Sequence, residues 1–187
     1  MRKHFSTIML VGILVIGLSL LLYPTVSDYW NSLHQSEAVA SYVEKTANLK
    51  EETYQKLLKD AQRYNETLAN EKKVDFNLTK SQIAEYNKLL DVTSTGIMGY
   101  VDIPKIHSTM PIYHGTDDAV LQVAIGHIAG TSLPVGGKNT HSVISGHRGL
   151  PSAKLFTDID RLDVGDTFMI HVLNETLTYE VDQILVV

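Results

Sequence analysis

Residues 126–161 read GHIAGTSLPVGGKNTHSVISGHRGLPSAKLFTDIDR. Within them, Ser142-Val143-Ile144-Ser145 is a run of small and apolar residues, the pattern of a buried strand. It ends on Gly146-His147-Arg148-Gly149. The flanking glycines leave the imidazole of His147 accessible and let backbone come close to a ligand. An imidazole with a pKa near ~6.5 can both give and take a proton at neutral pH. Spacing alone does not separate that role from a structural one, so the surroundings must decide.

On both sides the chain is punctuated into short strands. Gly96 to Ile106 alternates and stops near Pro104. Met110 to His114 is a second strand, and Asp117 and Asp118 are placed to cap a short helix over Ala119 to Ala124. His141 to Ser145 is the buried strand, and Ala153 to Leu162 is a turn or short helix. Thr167 to Leu173 and Leu177 to Val187 are two more strands joined at Asn174-Glu175. Short strands with turn signals predict a mainly β, mixed-to-antiparallel barrel with small helices, over residues 91–187.

A helical region, residues 31–90, precedes the barrel. Asn31 to Asn70 reads as one long polar helix with a narrow stripe, Ala40, Val43, Ala47, Tyr54, Leu57, Ala61, Tyr64 and Leu68, interrupted by Lys50. A stripe of small and aromatic residues fits a helix lying against its own domain, or a stalk, better than a free coiled-coil arm. Glu71 to Leu78 breaks the pattern, and Thr79 with Gln82 forms a capping box that opens a helix through about Leu90.

The first 30 residues read as a membrane anchor. Arg2 and Lys3 precede an apolar run, Ile8 to Tyr23, closed by Pro24. Residues 5–23 at 1.5 Å rise reach roughly 28 Å, the thickness of a bilayer core. The positive flank stays inside, so residues after Pro24 are expected on the extracytoplasmic face. The alternative is a cleaved leader, but the small-x-small triplet Ala38-Val39-Ala40 lies far beyond the apolar run.

Composition narrows the chemistry. The chain has no cysteine, hence no disulfide, no cysteine metal site and no thiol nucleophile. A formal net charge of −5 gives no reason to expect nucleic acid as a partner. The histidines do not form an i, i+4 pair or a His-Glu-x-x-His motif, so neither a metal nor another cofactor is expected. Ser145 is not in a nucleophile elbow. The chain closes on the apolar run Ile184-Leu185-Val186-Val187 with no polar stop. A bare edge of that kind invites aggregation, and the expectation is that the native chain continues.

Taken as a set, several motifs resemble the class C sortases, which join pilin subunits on Gram-positive bacteria. They are Gly99-Tyr100-Val101-Asp102-Ile103-Pro104-Lys105-Ile106, Pro111-Ile112-Tyr113-His114-Gly115-Thr116, Gly126-His127 and Gly130-Thr131-Ser132-Leu133-Pro134. Thr140 to Pro151, Lys154-Leu155-Phe156-Thr157-Asp158 and Val164-Gly165-Asp166 complete the match, over about half the chain. The resemblance implies an eight-stranded sortase barrel, incomplete here. It implies that His147 is the catalytic acid and base, and that His127 and His141 are structural. It implies a cysteine thiolate that attacks the threonine–glycine bond of an LPxTG-like sorting signal to form a thioester. The histidine protonates the departing amine, and an arginine steadies the oxyanion. A lysine of an acceptor pilin then resolves the thioester as an isopeptide bond.

The family's cysteine and arginine belong to strands beyond Val187, and Arg148, adjacent to His147, does not correspond to that arginine. The chain alone is therefore expected to be inactive. Class C sortases also carry a lid, Asp-Pro-aromatic, ahead of the barrel. The matching place, within about 71–79, holds Val74-Asp75-Phe76-Asn77, so the resemblance implies Asp75 and Phe76 as the lid pair, without the intervening proline. Two other readings stand beside this one. The first is a sortase of another class that anchors surface proteins to peptidoglycan. The second is a non-enzymatic membrane-tethered scaffold whose working part is the helical arm.

Overall fold

The computed structural model describes residues 2–70 and 76–186. Helix α1 (Arg2–Ala47) runs through Pro24 without a break, so the proline expected to close the apolar run lies inside the helix. The expected single helix from Asn31 to Asn70 is in fact two. α1 ends at Ala47, and α2 (Glu51–Asn70) starts after a short break with Glu51 and Glu52 in its first turn, where acidic side chains meet the positive helix end. The apolar half of α1 is fully unburied, as a helix meant for lipid is.

α3 (Lys80–Tyr86) opens on the capping box read from sequence. Thr79 Oγ1 accepts from Gln82 N–H at 3.3 Å, and Thr79 N–H donates to Gln82 Oε1 at 2.8 Å. The helix ends at Tyr86 and turns carry the chain to Leu90, four residues short of the expected helical end.

Six strands follow: β1 (Ile97–Ile103), β2 (Ser108–His114), β3 (Ile125–His127), β4 (Ile144–Ser145), β5 (Thr167–Val172) and β6 (Glu175–Glu180). Their order in the sheet is β4-β3-β2-β1-β5-β6. All pairs are antiparallel except β2 with β3, where Ile112 faces Ile125 and His114 faces His127. The one-turn helix α4 (Asp118–Leu121) makes that crossover. Asp117 sits at its N-cap, but its side chain makes no capping bond, and the helix stops well before Ala124.

Two strands are shorter than their apolar runs. His141 to Val143 is extended chain whose partners lie outside the ladder, with Ser132 N–H donating to His141 O at 3.0 Å and Ile128 N–H to Val143 O at 2.9 Å. Among the described residues beyond Glu180, Val181 alone exchanges backbone bonds, with Gly165 and Asp166, so the strand expected to reach Val187 stops at Glu180.

Period-two alternation in β1 decides which way the sheet faces. Val101 and Ile103 point to the concave side, while Tyr100 lies edge-on to Tyr42 of α1 at 6.3 Å. Ile144 on β4 and Tyr179 on β6, at opposite ends of the strand order, line one common trough. The sheet is therefore curled into a half-barrel. The other side is covered by α1, whereas α2 and α3 pack on the same face as the trough, where Tyr86 stacks on His127 and meets Tyr64. Ala61 is fully buried in the core, with Tyr54, Leu57 and Tyr64 of the same α2 face packed against it.

Candidate functional site

The half-barrel encloses an apolar trough of about 420 Å³. Its floor is Val101, Ile103, Ile125 and Ile170, and Phe156, Phe168 and Tyr179 form its walls. His141 and Ser142 stand at the rim. The hydroxyl of Ser142 is buried and lacks a hydrogen-bond partner among the described residues.

His147 is two residues past the end of β4 and exposed. The approach to it is sterically tight. A Cβ at Gly146 would lie 2.7 Å from both Ile125 Cγ2 and the Phe156 ring, so only glycine lets the chain leave β4 here. Gly149 turns the chain at φ +75, a conformation side chains resist. Between these glycines the backbone is tied to the next segment. Phe156 N–H donates to His147 O at 3.1 Å, and Gly149 N–H donates to Thr157 Oγ1 at 3.1 Å. His147 is thus an exposed imidazole on a fixed backbone, beside a trough that Phe156 lines. Arg148 is engaged elsewhere, in an ion pair with Asp160.

The other histidines are held differently. His127 is fully buried. Its Nε2–H donates to Ser132 O at 2.8 Å, and its Nδ1 accepts from Tyr86 Oη at 2.9 Å. Burial pushes its pKa down to about 4, against the Ser132 carbonyl, which favours the charged form. Tyr86 Oη accepts from Gly115 N–H at 3.2 Å, and burial raises the phenol well above its ordinary range. His114 reaches Gly96 O at 2.9 Å and Leu89 O at 2.7 Å. His141 is fixed through its backbone, its N–H donating to Ser132 Oγ at 3.1 Å while its ring is exposed at the trough. Among the described residues, three or more of His, Cys, Asp and Glu are nowhere gathered as a metal site needs.

Of the lid pair, Asp75 lies outside the described residues. Phe76 is 64% exposed, its ring standing away from the core. The trough was not legible beforehand. Its lining comes from five strands and two loops, and no local spacing in the sequence marks residues that meet only when the sheet curls. The unpartnered Ser142 hydroxyl likewise becomes visible only in three dimensions.

Residues 101–187 match the sortase domain family. Sortase C1 from Streptococcus agalactiae is 45% identical in sequence and superposes with a TM-score of 0.75, covering 79% of this chain and 76% of that one. Sortase C from Streptococcus pneumoniae is 39% identical with a TM-score of 0.68, over 79% of this chain and 74% of that one. Sortase D of Bacillus subtilis is 32% identical over 83 residues, 44% of this chain, and the match spans 39% of that protein's length.

Proposed function

Since the chain belongs to the sortase family, we propose that it is the histidine-bearing part of a pilin-joining transpeptidase. The observation that carries this is the position of His147, exposed on a pinned loop beside an apolar trough. In this reading His147 protonates the amine that leaves when a thiolate attacks an LPxTG-like sorting signal. It then takes a proton from the lysine amine of an acceptor pilin. The extended peptide lies against the trough, whose apolar walls suit the leucine and proline side chains of such a signal. Asp75 and Phe76 act as a lid.

This chain has no cysteine, so by itself it forms no thioester. In this reading neither the thiol nor the oxyanion-steadying arginine is supplied by residues 1–187. The apolar half of α1 anchors the protein in a bilayer, with the half-barrel on the extracytoplasmic side of a Gram-positive cell. A second reading is a sortase of another class, in which the acceptor amine belongs to peptidoglycan. The scaffold reading loses its support, because the α2 face that would serve as an arm is packed on the protein's own core.

The test uses residues 1–187 alone and the same residues extended with the C-terminal strands of S. agalactiae sortase C1. The first is expected to give no product from an LPxTG-type peptide and an amine. The extended protein is expected to join them, and His147→Ala to lower its rate by roughly 10²–10⁴. His127→Ala and His141→Ala should change the rate per folded molecule much less. Turnover by residues 1–187, or equal losses at all three histidines, would remove the assignment. Preference for a lysine side chain over a peptidoglycan stem amine separates the two acceptor readings.

A further inference from the structure

Helix α1 does more than cross a membrane. A continuous line of its residues beyond the apolar run is bonded to the half-barrel. Ser27 Oγ donates to Ser152 O at 3.1 Å, and Asn31 Nδ2 donates to the same carbonyl at 2.6 Å. Asp28 Oδ1 accepts from Lys154 N–H at 2.6 Å. Gln35 Nε2 donates to Val123 O at 2.7 Å. Tyr42 Oη donates to Met98 O at 2.9 Å and accepts from Leu173 N–H at 2.7 Å. Lys45 Nζ reaches Thr93 O at 3.0 Å. From Ser27 to Lys45 the line is about 27 Å long at helical rise. A helix bonded along that length is a strut and not a flexible tether.

The order of these contacts orients the domain. The loop after His147 is bonded at 27–31, and the turn between β5 and β6 is bonded at 42, about 21 Å farther along the axis. Residues 27–31 lie only about 6–12 Å past Tyr23, where the apolar run ends. A headgroup layer is roughly 5–8 Å deep on each side of a bilayer core. Tyr23, Tyr29 and Trp30 are all exposed on this short stretch, at 58%, 65% and 63%. Exposed tyrosine and tryptophan at the end of a span are the residues that settle at headgroup depth.

We propose that α1 is a rigid strut, clasped by Ser27, Asp28 and Asn31, that presents the His147–Lys154 loop to the headgroup layer of the bilayer holding the helix. The end of the half-barrel that carries the His147–Lys154 loop then faces the membrane surface, and the β5–β6 turn points away from it. A site at that height meets polypeptide where it emerges from the same bilayer, in preference to polypeptide free in solution. The consequence for substrate rests on the assignment of His147 above, whereas the orientation does not.

The absence of native cysteine allows single, unambiguous labels. The full chain in nanodiscs, with lipid headgroups carrying chelated nickel, is spin-labelled at Pro151→Cys or at Asn174→Cys, both exposed positions. The label at 151 is expected to relax several-fold faster than the label at 174. Asp28→Ala with Asn31→Ala should bring the two rates toward equality, while circular dichroism shows the fold retained. If that pair unfolds the chain, Asp28→Asn alone is used, which removes only the charge on the clasp. Equal relaxation at 151 and 174 in the otherwise unaltered chain would overturn the proposal. So would faster relaxation at 174, or a folded clasp variant that keeps the full difference. The measurement involves no catalysis, so the orientation and the role of His147 can fail separately.

Discussion

His127 shows how one residue links packing to pH. It is neutral in the folded chain because burial holds its pKa near 4, while an unfolded histidine takes up a proton below ~6.5. The unfolded state thus binds more protons between those values. His127 is neutral in both states above ~6.5, and stability is lost as pH falls from there to about 4. Below that this group causes no further loss. The full difference amounts to about 3 kcal/mol. Urea unfolding of the detergent-solubilised chain at pH 7.5, 5.5 and 4.5 should show this decline, and His127→Gln should flatten it. An unchanged pH slope in that variant would mean that other groups set it. The sequence yields His147 and His127 as residues, because glycines and apolar neighbours mark their surroundings. It does not distinguish buried from exposed histidine. That depends on Tyr86 and Ser132, 41 residues before His127 and five after it, which meet the imidazole only in the fold.

At the scale of elements, apolar stripes predict the helix faces well where contact is made by apolar groups and poorly where it is polar. In α2 the residues read from spacing, Tyr54, Leu57, Ala61 and Tyr64, are those that face the core. In α1 the predicted Ala40, Val43 and Ala47 are exposed, and Tyr42 and Thr46 are buried instead. That face is chosen by hydrogen bonds from Ser27, Asn31, Gln35 and Tyr42 to backbone carbonyls, which an apolar count cannot register. Leu173 gives a related example. It adopts φ +54 in the β5–β6 turn, unfavourable for leucine, and its N–H is held by Tyr42 Oη. Asn65 is the polar link for α2, 3% exposed. It donates to Leu133 O at 2.9 Å and accepts from Leu133 N–H at 2.7 Å. Asn65→Ala strands both backbone groups inside the protein. At about 1–3 kcal/mol for each unsatisfied group, Tm should fall by roughly 4–24 °C, as followed by circular dichroism. A shift within about 1 °C would show that water replaces the side chain.

The whole molecule is a curled sheet with α1 on its convex side and, on its concave side, an apolar trough beside α2 and α3. Five of the six strands and the short helices of that shape are legible from alternation and turns, whereas β3, three residues long, is too short to show a period. The curl is not legible, since it brings Ile144 and Tyr179 from opposite ends of the strand order to one surface. Among the described residues this geometry leaves two unpaired edges, β4 and β6, on either side of apolar walls. Such a surface should recruit an apolar dye and other copies of the chain. In nanodiscs, where lipid covers the apolar half of α1, the folded chain should enhance anilinonaphthalene sulfonate fluorescence above the level of empty nanodiscs. Ile144→Lys places a charge on the β4 edge and at the trough wall. It should lower both the dye signal and the rate of concentration-dependent association, because an edge lysine blocks strand pairing and is costly to bury. Val164→Lys, at a 63%-exposed position that does not line the trough, is the matching charge control and should change neither. If both substitutions lower association equally, net charge governs self-association. If dye binding matches empty nanodiscs throughout, the trough is closed in solution.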